Sequence, residues 1–260
     1  KPLAAPAAVA PATGMAAKPL RERCVALTGS FETSSPVPQC FSGLTGNFDG
    51  QGVSFGALQW NFGQGSLQPL LQKMVSSHQA VIAGIFGADF AELQRMLAMT
   101  SKADQVAWAA GIQTAKFSVN QPWRGYFTAL GQTAEYQAIQ GDAAAAVYQK
   151  GLGFCRQFGL KSQRAAALMF DIVTQNGSIN ATVAARINAD FAELPAGGTD
   201  ETPKLVIVAN RRAEASNPKW VENVRARKLV IANGGGTANG MTYDLAKSYA
   251  ITLDPAADLT

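Results

Sequence analysis

Charged side chains are scarce in this sequence. Asp, Glu, Lys and Arg together make up 15% of its 260 residues, against about a quarter in typical globular proteins. Histidine occurs once, at His78, so a histidine-based zinc site is excluded by number. No Gly-x-Ser-x-Gly segment accompanies that histidine, and a hydrolase built on a Ser–His–Asp triad is therefore not expected.

Cysteine is also rare, with Cys24, Cys40 and Cys155 as its members. An odd count makes a poor disulfide framework, and without a Cys-x-x-Cys motif neither zinc binding nor thioredoxin-type chemistry is indicated. Cys24 and Cys40 flank Glu32 and could form a disulfide in an oxidising compartment. Buried thiols are an equal alternative.

Several classes of ligand are not indicated either. There is no run of eighteen apolar residues, so we expect no membrane span. The glycine-rich segment 233–240 lacks the Gly-Lys-Ser/Thr of a phosphate-binding loop, and no nucleic-acid-binding motif is present. The spacing of carboxylates around Asp49 does not fit a calcium loop. We expect no metal and no cofactor.

The chain is nevertheless apolar enough to fold, with 47% hydrophobic residues, and long enough to bury a full core. Residues 1–19 are rich in Ala and Pro, which predicts a linker, and residues 20–260 form the predicted domain. The start lacks an initiator Met and a signal peptide. We therefore expect this to be the C-terminal part of a longer polypeptide.

Apolar periodicity predicts a mainly α-helical fold with little β-structure. Residues 20–32 and 162–175 are typical helices, and glycines divide 133–158 into two helical pieces. A small β-element is expected near Asp49, within residues 55–60. The glycine-rich segment 233–240 is expected to be an exposed loop, followed by an irregular end.

Two carboxylates stand out. Glu32 ends an apolar stretch beside Phe31, and desolvation there favours a protonated carboxyl group. Asp49 opens the glycine-rich turn 49–56, where backbone N–H groups favour a charged carboxylate. Cleavage of a glycosidic bond needs one group of each kind, an acid for the leaving oxygen and a base for water.

Further residues are candidates for binding sugar, because aromatic rings stack on pyranose faces and amides bond to their hydroxyl or N-acetyl groups. For each one a structural role is the alternative: a core position for the tryptophan, and a buried salt bridge to an arginine for the aspartate. The candidates are Gln59, Trp60, Asn61, Asp171, Gln175, Asn176 and Tyr243.

The N-terminal part of the chain resembles the signature of chitosanase-like enzymes of the lysozyme superfamily. The resemblance is carried by Glu32, by Asp-Gly-Gln-Gly-Val-Ser-Phe-Gly at 49–56 and by Phe-Gly-Gln-Gly-Ser-Leu at 62–67. That superfamily includes goose-type lysozymes, phage endolysins and muramidase toxins of type VI secretion. The resemblance implies a lysozyme-like α+β fold, with two helical lobes around a cleft. It also implies that Glu32 is the general acid, Asp49 the general base and Ser54 a hydroxyl that holds the attacking water.

The charge balance separates possible substrates. The net charge is +4 and the pI about 9.0, whereas enzymes that bind polycationic chitosan have acidic clefts. Peptidoglycan is the better electrostatic partner. We therefore expect a monomeric muramidase that cuts the β-1,4 bond between N-acetylmuramic acid and N-acetylglucosamine. It would act as a secreted antibacterial effector domain in the target's periplasm, with a cognate immunity protein as a possible partner.

Three alternatives remain. A lytic transglycosylase would use Glu32 alone and release 1,6-anhydro products. A chitosanase would share the catalytic pair. A non-catalytic glycan-binding or structural domain of a secretion spike or phage tail would bind the cell wall without releasing reducing ends.

Overall fold

The computed structural model describes residues 7–8 and 14–259. Within them the chain is mainly helical with two small three-stranded sheets, as predicted. It divides into two compact units that match the two predicted lobes. The discontinuous unit comprises Lys1–Val37 and Ala144–Thr260, and the continuous unit is Pro38–Ala143.

Helices account for most of the described residues. In chain order they are α1 Leu20–Thr33, α2 Gln68–Ser77, α3 Gln79–Phe86, α4 Phe90–Leu97, α5 Lys102–Gly111, α6 Trp123–Gly131, α7 Ala134–Ala143, α8 Ala145–Gln157, α9 Gln163–Asn176, α10 Ala181–Ala192, α11 Thr202–Glu214, α12 Val221–Asn233 and α13 Leu245–Tyr249. The predicted helix at 20–32 and the division of 133–158 into two pieces are both confirmed.

The strands are short. They are β1 Ala7–Ala8, β2 Leu44–Thr45, β3 Ser54–Phe55, β4 Trp60–Asn61, β5 Gly235–Ala238 and β6 Met241–Asp244. The order is β1-β6-β5 in one sheet and β2-β3-β4 in the other, and only β1 and β6 run parallel.

The predicted linker lies mostly outside the described residues, at 1–6 and 9–13. In its described part, β1 pairs with β6, and Met15–Ala17 forms a short 3-10 helix in which Met15 is buried. The domain boundary near residue 20 stays a prediction.

The discontinuous unit is built around α9, which packs against α1, α8 and α12. Every residue of α9 from Ala165 to Val173 is buried. A helix that is apolar on all sides belongs inside a domain rather than on its surface. The one charged residue in this buried run is Asp171, so its carboxylate needs a partner within the unit.

The continuous unit carries the β2-β3-β4 sheet on its own apolar core. Phe55 on β3 anchors the sheet, because its ring lies 5.2 Å from the ring of Tyr136 and 5.0 Å from that of Phe127. All three aromatic side chains are fully buried. The sheet thereby fixes the chain on both sides of residue 49.

The sequence-based prediction for 233–240 is wrong. Strand β5 pairs with β6 in a β-hairpin, in which Ala238 lies opposite Met241. Asn239 and Gly240, with φ of 51° and 76°, make the tight turn, which is the conformation that favours an Asn-Gly pair in hairpins. The residues that follow were expected to be irregular, and for the first of them this prediction is also wrong. Asp244 caps α13 by accepting a hydrogen bond from the Lys247 amide at 3.0 Å.

All three cysteines are buried thiols, so the alternative of a disulfide between Cys24 and Cys40 is not realised. Burial raises the pKa of the Cys24 and Cys155 thiols. Among the described residues, none of the helices combines the length and apolar character needed to cross a bilayer. The same part of the chain shows no cluster of three potential metal-ligating side chains.

Candidate active site

Glu32 lies in the last turn of α1 and its side chain is 28% exposed. We expected an apolar setting beside Phe31, and that expectation is wrong. Arg227 on α12, 195 residues later, donates a hydrogen bond from Nη2 to Oε1 of Glu32 at 2.7 Å. The carboxylate is thus held by a buried cation and is also accessible from outside the unit.

Arg227 is fixed in turn by Asp171 of α9. Its Nε lies 3.0 Å from Oδ1 of Asp171, and its Nη2 lies 2.7 Å from the same oxygen. The Thr28 hydroxyl of α1 donates to Oδ1 at 3.0 Å, and the Lys228 ammonium pairs with Oδ2. Asp171 therefore ties α1, α9 and α12 together around Glu32. We call Glu32, Arg227, Asp171 and Lys228 the ionic network.

Within the ionic network, the neighbouring cations favour the ionised form of the Asp171 carboxyl group. Burial raises the pKa of this carboxyl group, but the charges of Arg227 and Lys228 outweigh burial and lower it to about 2. Burial lowers the pKa of Arg227, and the attraction of Asp171 and Glu32 more than reverses this. Burial lowers the pKa of Lys228 below its usual value although Asp171 opposes the shift. Asp171 is thus the anion that allows two cations to be buried beside Glu32.

Aromatic rings hold the same guanidinium from another side. The Cζ of Arg227 lies 5.0 Å from the ring centroid of Phe31, and the Phe31 ring lies 4.5 Å from that of Tyr243. A guanidinium stacks favourably on an aromatic face. Arg227 is therefore restrained by both ion pairs and packing, and so is the carboxylate oxygen that it binds.

Asp49 lies in the continuous unit, in a turn that follows β2 and is exposed to solvent. Its Oδ1 accepts a hydrogen bond from the Gln51 amide at 3.1 Å. Asn47 Oδ1 accepts another from the Gly52 amide at 2.7 Å. Gly50 and Gly52 have φ of 80° and 84°, a backbone conformation that is costly for other residues. The glycines thus shape the turn that presents Asp49.

Ser54 follows this turn on β3, where its backbone pairs with Asn61 and Thr45. The residue is 8% exposed, and backbone pairing within the sheet fixes its position. Its expected role in holding water stays a prediction, as do the roles of Glu32 and Asp49.

Three neighbouring sugar-binding candidates make hydrogen bonds or packing contacts within the continuous unit. Gln59, at φ 54°, donates from Nε2 to the Gly56 carbonyl at 2.9 Å and accepts from the Thr45 hydroxyl at 2.8 Å. Asn61 is buried and accepts from the Gln64 amide at 2.8 Å. Trp60 packs against the core of the continuous unit. Local bonds and packing thus give each of these side chains a structural role, and sugar binding by them stays a prediction.

Two candidates in the discontinuous unit are corrected. Asp171 is fully buried within the ionic network, so the alternative of a salt bridge to an arginine is confirmed and direct contact with substrate is excluded. Tyr243 is 2% exposed and packs on Phe31. Gln175 and Asn176, by contrast, are partly exposed at the end of α9, where they line a groove.

Arg227 and Lys228 are the residues that sequence reasoning missed. Closely spaced cations on a helix are typical of a solvated face, yet Arg227 is 3% exposed and Lys228 is fully buried. One signal was available. A buried Asp in the apolar segment 165–173 requires cationic partners, and adjacent cations on a later helix could supply them.

A second groove lies in the continuous unit beside the Asp49 turn. Its lining includes the aromatic rings of Phe48 and Phe117, which are 69% and 49% exposed, and the cations Lys116 and Arg124. No carboxylate is among its lining residues in the described part of the chain. Exposed rings beside cations suit a ligand with apolar faces and neutral or negative substituents.

No protein-family profile matches this sequence, and no curated protein matches it. Solved structures do match. A native chitosanase from Bacillus subtilis is similar with a TM-score of 0.53 and 19% identity, over 87% of this chain and 98% of the chitosanase. A GH46 chitosanase from Gynuella sunshinyii in complex with chitotetraose is similar with a TM-score of 0.51 and 14% identity, over 87% and 97% of the two chains. The chain therefore has the fold of these chitosanases, and the predicted fold class is confirmed.

Proposed function

We propose that this protein is a glycoside hydrolase that cuts a β-1,4-linked glycan, with Glu32 as general acid and Asp49 as general base. The observation that carries the proposal is a partly exposed glutamate held by the buried Arg227–Asp171 pair in a chain with a chitosanase fold. A general acid must be reachable by substrate and fixed in orientation. Glu32 meets both requirements.

Arg227 suits the acid step. When Glu32 gives its proton to the leaving oxygen, it becomes an anion, and Arg227 Nη2 lies 2.7 Å from one of its oxygens. Fixed charges that stabilise the developing anion lower the barrier without reorganising. Asp171 keeps the guanidinium in place and so acts through Arg227 rather than on the substrate.

Asp49 suits the base step. It is exposed, and Gln51 anchors its Oδ1 while the glycine turn leaves the carboxylate in contact with water. A base that directs water to the anomeric carbon from the face opposite the acid gives inversion. Ser54, which follows on β3, is the residue proposed to help hold that water.

We favour peptidoglycan as substrate. The groove beside the Asp49 turn carries Lys116 and Arg124, and its lining has no carboxylate within the described part of the chain. The net charge of the chain is +4. A polycationic chitosan would be repelled, whereas the carboxylates of peptidoglycan would be attracted. On this proposal the protein is a muramidase that acts on the cell wall of a target bacterium as an antibacterial effector domain, with an immunity protein as its inhibitor.

Chitosanase activity is the second candidate, because the similar structures are chitosanases and one is solved with 6 GlcN. A single experiment separates the possibilities. Purified sacculi and chitosan are digested in parallel, and the products are identified by mass spectrometry. We expect disaccharide muropeptides with reducing ends from sacculi and little release from chitosan.

The other outcomes each contradict part of the proposal. Oligosaccharides from chitosan alone would assign the chitosanase alternative. Muropeptides with 1,6-anhydro ends would assign a lytic transglycosylase. Binding to sacculi with no product from either polymer would assign a non-catalytic domain.

A further inference from the structure

A polar groove of about 450 Å³ lies in the discontinuous unit, where the ends of α9 and α11 meet the start of α12. A volume of this size lies within the range of small-ligand pockets. The lining side chains that matter here are Gln175, Asn176, Arg212, Ser216, Trp220 and Asn223.

Arg212 is the one charged residue in this lining among the described residues. Its Nε is buried without a hydrogen-bond partner, and Nη1 reaches the Ser216 hydroxyl only at 3.4 Å. Burial lowers its pKa. The adjacent Arg211 differs completely, since it pairs with Asp190 at 2.6 Å and Glu214 at 2.9 Å. One arginine of the pair is saturated by carboxylates, and the other faces a groove without one.

Arg212 is partly exposed and has no carboxylate partner among the described residues, and a carboxylate is the ligand that the planar donors of a guanidinium fit best. A carboxylate entering the groove would form charge-assisted hydrogen bonds with Arg212. The ammonium of Lys219, 5.0 Å from the ring centroid of Trp220, adds positive charge nearby. The groove therefore favours an anion over a cation.

The rest of the lining suits a sugar. Trp220 is 53% exposed and offers an apolar ring face for a pyranose. Asn176 and Asn223 also line the groove and carry side-chain amides, the kind of group that bonds to sugar hydroxyl or N-acetyl groups. Together with Arg212, these groups match a ligand that combines a sugar ring, a neutral amide and a carboxylate.

The groove is joined to Glu32 by hydrogen bonds within one unit. Gln175 lines the groove and accepts from Lys228 Nζ at 2.7 Å. Lys228 pairs with Asp171, whose other partner, Arg227, holds Glu32. A ligand in the groove thus lies against the same scaffold that positions the proposed acid.

We propose that this groove is a subsite for a carboxylate-bearing residue of an N-acetylated glycan, with Arg212 as the residue that selects the carboxylate. The inference rests on the proposed function and specifies its substrate. Two carboxylates of peptidoglycan have this chemistry: the lactyl group of N-acetylmuramic acid and the free carboxylate of an attached peptide.

The test titrates sugar ligands into the 260-residue chain carrying Glu32→Gln. Binding is monitored by NMR through the signal of the Trp220 indole N–H. Three probes are compared: N-acetylglucosamine, which has no carboxylate; N-acetylmuramic acid, which has the lactyl one; and muramyl dipeptide, whose carboxylate is on the peptide. We expect at least one acidic probe to bind about tenfold or more tightly than N-acetylglucosamine, as one charge-assisted pair allows. The acidic probe that does so identifies the source.

Matched variants decide the role of Arg212. Arg212→Gln should abolish the preference for the acidic probe and leave the affinity for N-acetylglucosamine within twofold. Arg95→Gln removes the same charge from an exposed side chain of the continuous unit and should leave the preference intact. Trp220→Ala should weaken acidic and neutral probes alike. Equal binding of all three probes, or a preference that survives Arg212→Gln, would overturn the inference.

Failure of the inference is distinguishable from failure of the proposed function. Cleavage of sacculi without an Arg212-dependent preference removes the subsite and leaves the hydrolase. An Arg212-dependent preference without cleavage of any glycan supports the subsite and refutes the hydrolase.

Discussion

The two proposed catalytic carboxylates are held by opposite means. In the discontinuous unit, Glu32 is bound by Arg227, which is buried against Asp171 and Lys228. In the continuous unit, Asp49 lies on an exposed glycine turn, and the buried polar contacts of that unit are mostly neutral amides. Gln140, for example, accepts from the Ala57 amide at 2.7 Å and donates to the Phe41 carbonyl at 3.1 Å.

The two units therefore differ in whether charged groups hold the carboxylate in place. An ionic network orients an acid and stabilises the anion left after proton transfer, but each of its members depends on the others. Neutral amides fix backbone near a base without adding charge, and each bond can be lost separately. The two units should therefore respond differently to substitution and to pH.

The largest effect is expected at Asp171. Asp171→Asn leaves Arg227 and Lys228 buried without their anion, and removal of one partner from a buried ion pair costs about 3–5 kcal/mol. Chemical denaturation at pH 7 measures the change. Asp190→Asn is the control, because its pair with Arg211 is about one-third exposed and should contribute under about 1 kcal/mol. Equal losses in the two variants would contradict the account of the ionic network.

A smaller loss is expected in the continuous unit. Gln140→Met keeps the volume of a fully buried side chain but leaves the Ala57 N–H and the Phe41 carbonyl unpaired. Both groups are neutral, so each should cost about 1 kcal/mol, the low end for an unpaired buried group, and the loss should be about 2 kcal/mol in all. Gln132→Met, at an exposed amide bonded to Ser42, is the matched control. The loss for Gln140→Met should be the same at pH 7 and pH 4, because no titratable group is involved.

The response to acid should distinguish the units further. Asp171 has a pKa lowered from 3.8 to about 2 in the folded protein. Its contribution to stability is therefore fully present above pH 3.8 and is lost as the pH falls through about 2. The difference corresponds to about 2 kcal/mol.

Hydrogen exchange, corrected for intrinsic rates, measures this response locally. Between pH 4 and pH 2, amides of α9 and α12 should lose more protection than amides of α2 and α7. Uniform loss of protection throughout the described part of the chain would show that the ionic network does not set the acid response.

The smallest effect concerns the Asp49 turn. Gly52 has φ of 84°, and an added Cβ would lie 3.3 Å from Cβ of Ala109, so Gly52→Ala should cost about 1–2 kcal/mol. Gly153 in α8 has open space around it, and Gly153→Ala should stabilise by about 0.5–1 kcal/mol. Thermal unfolding compares the two variants. A stabilised Gly52→Ala variant would contradict the strained turn.

Local sequence patterns predicted much of the fold. The helix at 20–32 and the division of 133–158 into two pieces were predicted from apolar periodicity and glycines, although the break lies at Ala144 and not at a glycine. The hairpin at 235–244 was missed because four glycines in 233–240 suggested a loop, although Asn239-Gly240 is a turn signal between strands. The signal was present, but the flanking residues lack the alternation that marks a strand.

The site was less predictable. Glu32 and Asp49 could be selected as candidates from their own segments, whereas Arg227 contacts Glu32 across 195 residues, a separation that no local pattern reports. Gln59 and Asn61 are typical sugar ligands by residue type, yet both bond within their own turn. Short polar contacts of this kind depend on backbone geometry that residue type alone does not determine.

The most direct test of the account compares the release of reducing ends from purified sacculi by the wild-type protein, Glu32→Gln and Asp49→Asn. Circular dichroism first verifies that the variants are folded. We predict that wild-type activity falls by about 10²–10⁴-fold in each variant, the usual contribution of a general acid or base. Wild-type activity in Glu32→Gln would contradict the central claim, and loss in Glu32→Gln with tolerance of Asp49→Asn would remove Asp49 as the base.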